Sequence, residues 1–190
     1  NPNHNLNNTT YTFDPKTPFI KAIWDAGGND TLNFNNFSKS QIISLVDGEY
    51  STTSFDVNWS LVDNLGIAFN AIIENAVGGS GDDQITGNKY TNNIRGNGGN
   101  DLIDGGLGSD TSAYLGKFLD YAFTLGTDTL QIADQRTTGT TDGTDTLKNI
   151  EYIQFSDIAV PIEDVQGESQ LKMVAGQKEQ LTLIRDYDGN

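Results

Sequence analysis

The sequence predicts an all-β chain in which a parallel β-roll is followed by an antiparallel β cap. Glycine recurs every nine residues in the middle of the chain, and most of those nonapeptides carry one apolar residue at a fixed place. Further along, apolar and polar residues alternate in DYAFTL, DTLQIA and IEYIQF. A repeat this short gives one turn and one strand per copy, and alternation with a period of two is typical of half-buried strands.

The nonapeptide repeat begins at Gly78 and reads GGSGDDQIT, GNKYTNNIR, GNGGNDLID and GGLGSDTSA. Its first position is Gly78, Gly87, Gly96 and Gly105, and its eighth is Ile85, Ile94, Ile103 and Ser112. We expect positions one to six to form a tight turn and the last three a minimal strand, with position eight pointing inward. Two copies complete one coil, so turns 18 residues apart should stack on the same edge.

The sixth position of the repeat is acidic or amide-bearing, at Asp83, Asn92, Asp101 and Asp110. Rungs of a sheet lie about 4.8 Å apart. Two bare carboxylates at that distance repel by about 3–4 kcal/mol at an effective dielectric near 20, and a dication between them reverses the sign. Calcium takes six to eight oxygen ligands, which turn carbonyls can supply, whereas magnesium demands a tighter octahedron. The alternative is that these are ordinary Asp, Asn and Gly turns without metal.

Partial copies of the repeat flank this array. The segment WDAGGNDTLNF at Trp24–Phe34 places Asp30 at position six and Leu32 at position eight. DGTDTL at 142–147 places Asp145 and Leu147 likewise, and GTDTL also occurs at 126–130. The shared ending Asp-Thr-Leu indicates a role in the roll or at the start of a strand.

Composition excludes several classes of function. The 190 residues carry a formal net charge of −15, so nucleic acid is not an expected partner. Cysteine is absent, so metal is the expected substitute for disulfides. The sole histidine, His4, is expected to be solvated, and one histidine cannot build a zinc-protease site or a nucleophile–base pair. We therefore predict no catalytic residues, no signal peptide, no membrane span and a monomer.

The array from WDAGGNDTLNFNNFS through IENAVGGSGDD to GGLGSD resembles the C-terminal RTX (repeat-in-toxin) domain of serralysin-type secreted metalloproteases, over about residues 11–113. Residues 109–157 resemble a different, widespread RTX tail, on SDTSAYLG, IADQR and DGTDTLKNIEYIQFSD. The resemblance implies an extracellular, calcium-binding β-roll exported by type I secretion, with about three to four calcium ions.

The resemblance also implies specific ligands. One site would use Gly79, Gly81, Asp83, Gly96, Gly98 and Asp101. A second, weaker because of its asparagine, would use Asn88, Tyr90, Asn92, Gly105, Leu107 and Asp110. A third would use Gly28, Asp30, the Ile72 carbonyl and Glu74. Asp25, Gly27 and Asp30 match half of a fourth site, whose other half belongs to a loop before Trp24 that is shorter here. Asp134, Asp142 and Asp145 are either ligands of another ion or ordinary turn residues.

The expected organisation is a lead-in strand or linker at 1–23, the RTX roll at 24–113, an antiparallel cap at 114–160, and a linker or the start of a further domain at 161–190. At the end of the chain, Asp186, Asp188 and Asn190 have calcium-loop spacing, but an interrupted loop is the simpler interpretation.

Three hypotheses of function remain open at this point. The first is a module that folds on calcium binding and supports the secretion and stability of an extracellular protein. The second is the non-catalytic C-terminal part of a secreted serralysin-like zinc metalloprotease. The third is an extracellular adhesive or glycan-binding module, which would need an exposed aromatic platform; Trp24 and Trp59 are the only tryptophans.

Overall fold

The computed structural model describes residues 7–166, so the expectations for His4 and for the segment beyond Gln166 lie outside the described residues. Within 7–166, no helix is long and apolar enough to cross a membrane. The strands are β1 (Thr10–Thr12), β2 (Lys21–Ile23), β3 (Thr31–Asn33), β4 (Ile42–Ser44), β5 (Tyr50–Ser51), β6 (Leu65–Ile67), β7 (Asn75–Val77), β8 (Gln84–Thr86), β9 (Asn93–Arg95), β10 (Leu102–Asp104), β11 (Thr111–Ala113), β12 (Tyr121–Leu125), β13 (Leu130–Asp134), β14 (Thr144–Lys148), β15 (Tyr152–Gln154) and β16 (Ala159–Pro161). A 3₁₀ turn spans Phe118–Asp120 and the helix α1 spans Ile162–Gln166.

Two sheets form the roll, parallel except for their strands β12, β13 and β16. The first has the order β1-β3-β7-β9-β11-β15-β16 and the second has the order β12-β13-β14-β10-β8-β4. From β8 to β11 the chain alternates between the two sheets, one three-residue strand per nonapeptide. These strands coincide with positions seven to nine of the repeat, and the prediction of an all-β fold containing a parallel roll is confirmed.

The core of the roll consists of one side chain per strand. In the second sheet, Ile103 pairs with Ile85 on one side and with Leu147 on the other. In the first sheet, Ile94 and Ser112 are paired neighbours, and all five side chains are at most 1% exposed. The eighth position of the repeat points inward, as alternation along a strand requires.

The antiparallel cap is built on a continuation of the roll. Strand β14 stacks parallel on β10, and β15 stacks parallel on β11. The antiparallel hairpin β12–β13 then pairs with β14, and β16 pairs antiparallel with β15. The parallel stack therefore extends into the segment 114–160, and the antiparallel strands cover the last coil, where an open solenoid would expose unpaired backbone groups.

A small third sheet lies at the other end of the roll and was not predicted. Its order is β2-β6-β5, with β2 parallel and β5 antiparallel to β6. An aromatic cluster packs beneath this region, in which the Phe13 ring stacks on the rings of Phe19 and Phe34 at 4.8 and 5.1 Å between centroids. Strand β2 precedes the roll and β5 and β6 lie between β4 and β7, so this end of the roll has an aromatic core that the nonapeptides do not supply.

Candidate metal sites in the stacked turns

The turns of the roll stack in two columns, one at each edge. The first edge precedes the strands of the first sheet and contains the turns 25–30, 70–74, 87–92, 105–110 and 149–151. The second edge precedes the strands of the second sheet and contains the turns 34–41, 78–83, 96–101 and 139–145. Each turn ends on the residue at position six of its rung or on that residue's structural equivalent.

Carboxylates form a continuous ladder along the second edge. The backbone N–H of Gln41 donates to Asp83 Oδ1 at 2.7 Å, and that of Asp83 donates to Asp101 Oδ1 at 2.8 Å. The N–H of Asp101 donates in turn to Asp145 Oδ1 at 2.9 Å. All three carboxylates are at most 2% exposed. Each carboxylate therefore accepts the backbone N–H of the equivalent residue one coil earlier.

The same ladder occurs at both ends of the first edge. The Asp30 N–H donates to Glu74 Oε2 at 2.7 Å, and the Thr9 N–H donates to Asp30 Oδ1 at 2.7 Å. Further along, the Asp110 N–H donates to Glu151 Oε2 at 2.7 Å. Glutamate thus takes the position-six place in two rungs that lie outside the regular nonapeptides. Glu151 is a member of this column that the sequence analysis missed, since only the register shows it opposite Asp110.

Asn92 interrupts the ladder of the first edge. Its backbone N–H donates to Asp110 Oδ1 at 2.7 Å, as the pattern requires. Its side chain behaves differently, because Nδ2 donates to the Glu74 carbonyl at 3.1 Å while Oδ1 accepts the Asn88 N–H at 2.7 Å. One oxygen and one donor replace the two carboxylate oxygens found elsewhere, so this rung offers a cation less charge and fewer ligand atoms.

Three position-six carboxylates each have one buried oxygen without a hydrogen-bond donor. Asp30 Oδ2, Asp101 Oδ2 and Asp110 Oδ2 are buried and have no hydrogen-bond partner among the described residues. A buried carboxylate oxygen without a donor is costly, and it is normally paired or bound to a metal. Carboxylate oxygens are the ligands that a hard cation prefers, and a Cβ built on Gly105 would lie within 3 Å of both Asp110 Oδ2 and the Asn149 carbonyl oxygen.

Burial raises the pKa values of these carboxylates. It raises the pKa of Asp83 to about 6 and that of Asp110 to about 6. Burial, reinforced by the neighbouring charge of Asp145, raises the pKa of Asp101 to about 8. Burial likewise raises the pKa of Asp145 to about 7. The second edge therefore resists carrying all its negative charges unless a cation compensates them.

The structure brings together the residues predicted for the first site. Turns 78–83 and 96–101 lie in contact, and the Gly98 N–H donates to the Gly79 carbonyl at 3.2 Å. A Cβ built on Gly78 would lie 2.5 Å from the Gly96 carbonyl oxygen and against the carboxylate at position six of its own turn. A Cβ built on Gly99 would lie 2.5 Å from the Gly81 carbonyl oxygen. Glycine at these positions keeps open a space lined by oxygens.

The turns predicted for the second site stack in the same way. The Leu107 N–H donates to the Asn88 carbonyl at 3.0 Å. A Cβ on Gly108 would lie 2.7 Å from the Tyr90 carbonyl oxygen, and one on Gly105 would lie 2.8 Å from Asp110 Oδ2. The six predicted ligands of this site therefore belong to two adjacent turns, with the amide of Asn92 in place of a second carboxylate.

The two sites predicted near the start of the roll share Asp30. The Asp30 N–H donates to the Glu74 carboxylate. Ile72, whose carbonyl is the remaining predicted ligand, is a partly buried residue two positions before Glu74 in the same turn. Asp25 Oδ1 accepts the Gly27 N–H at 3.1 Å, and its Oδ2 accepts the Tyr11 hydroxyl at 2.5 Å.

A segment at the start of the described chain lies beside the turn 25–30. A Cβ on Gly28 would lie 2.6 Å from the Asn7 carbonyl oxygen, and the Asn29 N–H donates to Asn8 Oδ1 at 2.9 Å. The loop 7–9 thus lies beside the turn that contains Asp25, Gly27 and Asp30, and the other half of that site stays a prediction.

The acidic residues of the cap are paired with an arginine. The Arg136 guanidinium contacts Asp134 Oδ2 at 2.5 Å and Asp142 Oδ2 at 3.1 Å, and both carboxylate side chains are at most 3% exposed. Burial raises the pKa of Asp134, but hydrogen bonds from Arg136 outweigh it and lower the pKa overall. Asp134 and Asp142 therefore already have a cationic partner, whereas Asp145 belongs to the second-edge ladder.

Within residues 7–166, no three or more His, Cys, Asp or Glu side chains cluster as a metal-binding group. A cation in these turns would accordingly take two carboxylates at most and complete its shell with backbone carbonyls, which suits calcium better than zinc.

Comparison with known proteins places the chain in one family. The family model for the Peptidase M10 serralysin C-terminal region matches residues 3–176. The chain is 51% identical to Serralysin G of Dickeya chrysanthemi over 81 residues, which is 43% of this chain and 16% of that protein. It is 40% identical over 107 residues to Metallopeptidase AprA of Pseudomonas marginalis, covering 50% of this chain and 21% of the relative.

A third relative, Serralysin of Proteus mirabilis, is 43% identical over 81 residues, which is 43% of this chain and 16% of that protein. The chain spans only about one sixth to one fifth of the length of these relatives. The match lies in the part that the family model describes as C-terminal. The chain therefore belongs to the serralysin C-terminal family of the M10 peptidases.

Proposed function

We propose that this chain is a calcium-dependent folding module of an extracellular protein. The observation that carries the proposal is the set of buried carboxylate oxygens without donors, at Asp30, Asp101 and Asp110. Carboxylate oxygens, completed by backbone carbonyls, are the ligands that calcium prefers. The proposed ligands remain those of the four sites predicted from the family resemblance, for about three to four ions.

Electrostatics supports the coupling of metal binding to folding. In the absence of a cation, burial raises the pKa of Asp101 to about 8, so the folded metal-free chain must retain protons or hold unfavourable charge. Each three-residue strand of the roll buries one side chain, which is too little to offset the entropy of ordering nine residues. Calcium supplies the missing positive charge, and its binding free energy becomes folding free energy.

The direction of the switch follows from affinities. Extracellular calcium modules typically have Kd values of about 10⁻⁴–10⁻³ M, so such sites are empty in a cytosol and filled outside the cell. We propose that the chain stays largely unfolded before export and folds after it, as the family resemblance to type I secreted proteins implies.

Circular dichroism during a calcium titration of the chelator-treated chain tests this function, with magnesium as the control. The expected result is a coil-to-β transition near millimolar calcium that magnesium does not produce. A β spectrum that survives chelation, in a sample shown by elemental analysis to be free of calcium, would contradict the proposal.

The parent protein is proposed to be a secreted serralysin-like zinc metalloprotease, of which this chain is the non-catalytic part. Family membership and the partial coverage of the relatives support this assignment. The chain's one histidine, His4, cannot supply the HExxHxxGxxH zinc motif of such proteases. Sequencing the gene upstream tests the assignment: the motif is expected there, and a complete gene without it would exclude a protease parent.

A further inference from the structure

Asn97 is followed by Gly98, and this is the only Asn-Gly pair in the 190-residue sequence. The pair occupies positions two and three of the nonapeptide that begins at Gly96, so it includes a residue whose carbonyl is a predicted calcium ligand. Asparagine is one of the chemically labile residues of proteins. Its side chain reacts most readily with the backbone when glycine follows, because glycine has no Cβ to shield the attacking nitrogen.

The reaction is a deamidation whose only co-reactant is water. The Gly98 backbone nitrogen gives its proton to solvent and attacks Asn97 Cγ, which forms a nitrogen–Cγ bond, breaks the Cγ–Nδ2 bond and releases ammonia. Water then opens the resulting succinimide ring at either of its carbonyl carbons. Opening at Cγ leaves aspartate, whereas opening at the main-chain carbon leaves isoaspartate, in which the backbone runs through the side chain and is one carbon longer.

The stacked turns hold both reacting groups. Asn97 Nδ2 donates to the Gly78 carbonyl at 2.6 Å, and the Gly98 N–H donates to the Gly79 carbonyl at 3.2 Å. Both acceptors belong to the turn one coil earlier. Stacking therefore fixes the side-chain amide on its neighbour and keeps the proton of the attacking nitrogen in a hydrogen bond. An unfolded chain has neither restraint.

Either product fits the turn poorly. Asn97 has a φ of +69°, and its amide is the donor that joins this turn to Gly78. Aspartate at position 97 would replace that donor with a carboxylate oxygen, so that two acceptors would face each other. Isoaspartate would also lengthen the backbone between Gly96 and Gly98. The turn has no space for this, because a Cβ built on Gly96 already collides with the Asp101 carboxylate.

We propose that Asn97–Gly98 is a self-modification site that deamidates in the unfolded chain and is protected once the turns stack. Its modification removes the ability of the turn 96–101 to stack on the turn 78–83, so a chain that waits too long without calcium loses the capacity to fold. The inference rests on the proposed function, since calcium-dependent folding determines how long the pair stays unprotected.

The test compares samples of the 190-residue chain aged in saturating calcium, in chelator, and in chelator with urea. Peptide mapping by mass spectrometry, with enzymatic methylation of isoaspartate, measures the reaction at Asn97. Asn88 is the internal control, because it occupies position two of the preceding nonapeptide and is followed by lysine. Deamidation of Asn97 is expected to be about tenfold or more faster in chelator and in urea than in calcium, and Asn88 should stay unmodified throughout.

A second measurement tests the consequence for folding. The aged samples are returned to saturating calcium, and the recovered β-structure is measured by circular dichroism. Recovery is expected to fall in proportion to the fraction modified at Asn97. Asn97→Gly lacks the reactive amide and matches Gly79, which occupies position two of the turn 78–83. This variant should recover as much β-structure after ageing as before it.

Equal deamidation rates in calcium and in urea would overturn the inference. Full recovery of β-structure in a sample modified at Asn97 would overturn it as well, and so would an equal loss of recovery in aged Asn97→Gly. The urea sample is unfolded whether or not calcium drives folding. A chain that keeps its β-structure and its Asn97 in chelator, but deamidates in urea, would therefore refute the folding proposal alone.

Discussion

A substitution of Asp101 should have opposite effects on stability in the absence and in the presence of calcium. Its Oδ1 accepts the Asp83 N–H at 2.8 Å, and its Oδ2 has no partner. Asp101→Asn preserves an oxygen that can accept the Asp83 N–H and removes the negative charge. The substitution should therefore stabilise the fold without calcium and weaken its response to calcium.

The first magnitude follows from the pKa of Asp101, which burial raises from 3.8 to about 8. Because the folded value is the higher one, this group's stabilising contribution is fully present below pH 3.8 and is lost as the pH rises through about 8. At pH 7.5 the metal-free fold is thus penalised by up to about 5 kcal/mol, and the asparagine variant should recover about 2–5 kcal/mol of it.

The second magnitude follows from the loss of one charged ligand. Interactions with charged groups contribute about 1.5–3 kcal/mol, so the free energy of unfolding that saturating calcium adds should fall by about that amount. Urea unfolding in chelator and in saturating calcium measures the two effects. Asp128→Asn in the exposed β12–β13 turn is the matched control and should change neither. An Asp101→Asn variant that behaves like this control in both assays would refute the reasoning.

Three further predictions concern acid, glycine and arginine. In chelator, β-structure measured by circular dichroism should increase as the pH falls from 8 to about 5.5, because the second-edge carboxylates have raised pKa values and become protonated. A loss of β-structure over this range would contradict the idea that their charge opposes folding. Gly78→Ala should abolish calcium-induced folding because its methyl group fills the oxygen-lined space. Gly139→Ala meets nothing within 4 Å but has a φ of +83°, so it should cost only the backbone strain of about 1–2 kcal/mol in a urea titration. Arg136→Met should lower the free energy of unfolding in saturating calcium by about 3–5 kcal/mol, because two buried carboxylates lose their partner. Arg136→Lys should retain only part of that stability. Thermal melts that show no loss for Arg136→Met would exclude a structural role for the ion pair.

The regular part of the roll was predictable residue by residue. A strict nine-residue period fixes which residues turn and which point inward, and Ile85, Ile94 and Ile103 are each fully buried. Outside the regular repeat, a local motif did not predict the position of its strand. GTDTL at 126–130 lies at the β12–β13 hairpin, whereas GTDTL at 143–147 enters β14 and stacks on the roll. Only pairing with distant strands separates these two copies, and a local pattern carries no such information.

The third sheet and the arginine pair were beyond prediction for a related reason. Strands β2, β5 and β6 are three residues or fewer, without a repeat, and their paired residues lie 14–44 positions apart in the chain. Arg136 reaches Asp142 because of the antiparallel register of β13 and β14. Likewise, Glu151 joins the first-edge column through its register with Asp110, not through any copy of the nonapeptide.

The carboxylate ladder also determines how such a module can change in length. Every acceptor serves the rung one coil before it, so a duplicated coil of 18 residues brings its own acceptors and leaves the existing ones in use. A duplication of nine residues instead transfers every later turn to the opposite edge. Turns that belonged to the column of Asn92 would then lie in the column of Asp83 and Asp101, and the reverse. Rolls of this kind should therefore grow and shrink in evolution by whole coils, with the cap and the aromatic end unchanged.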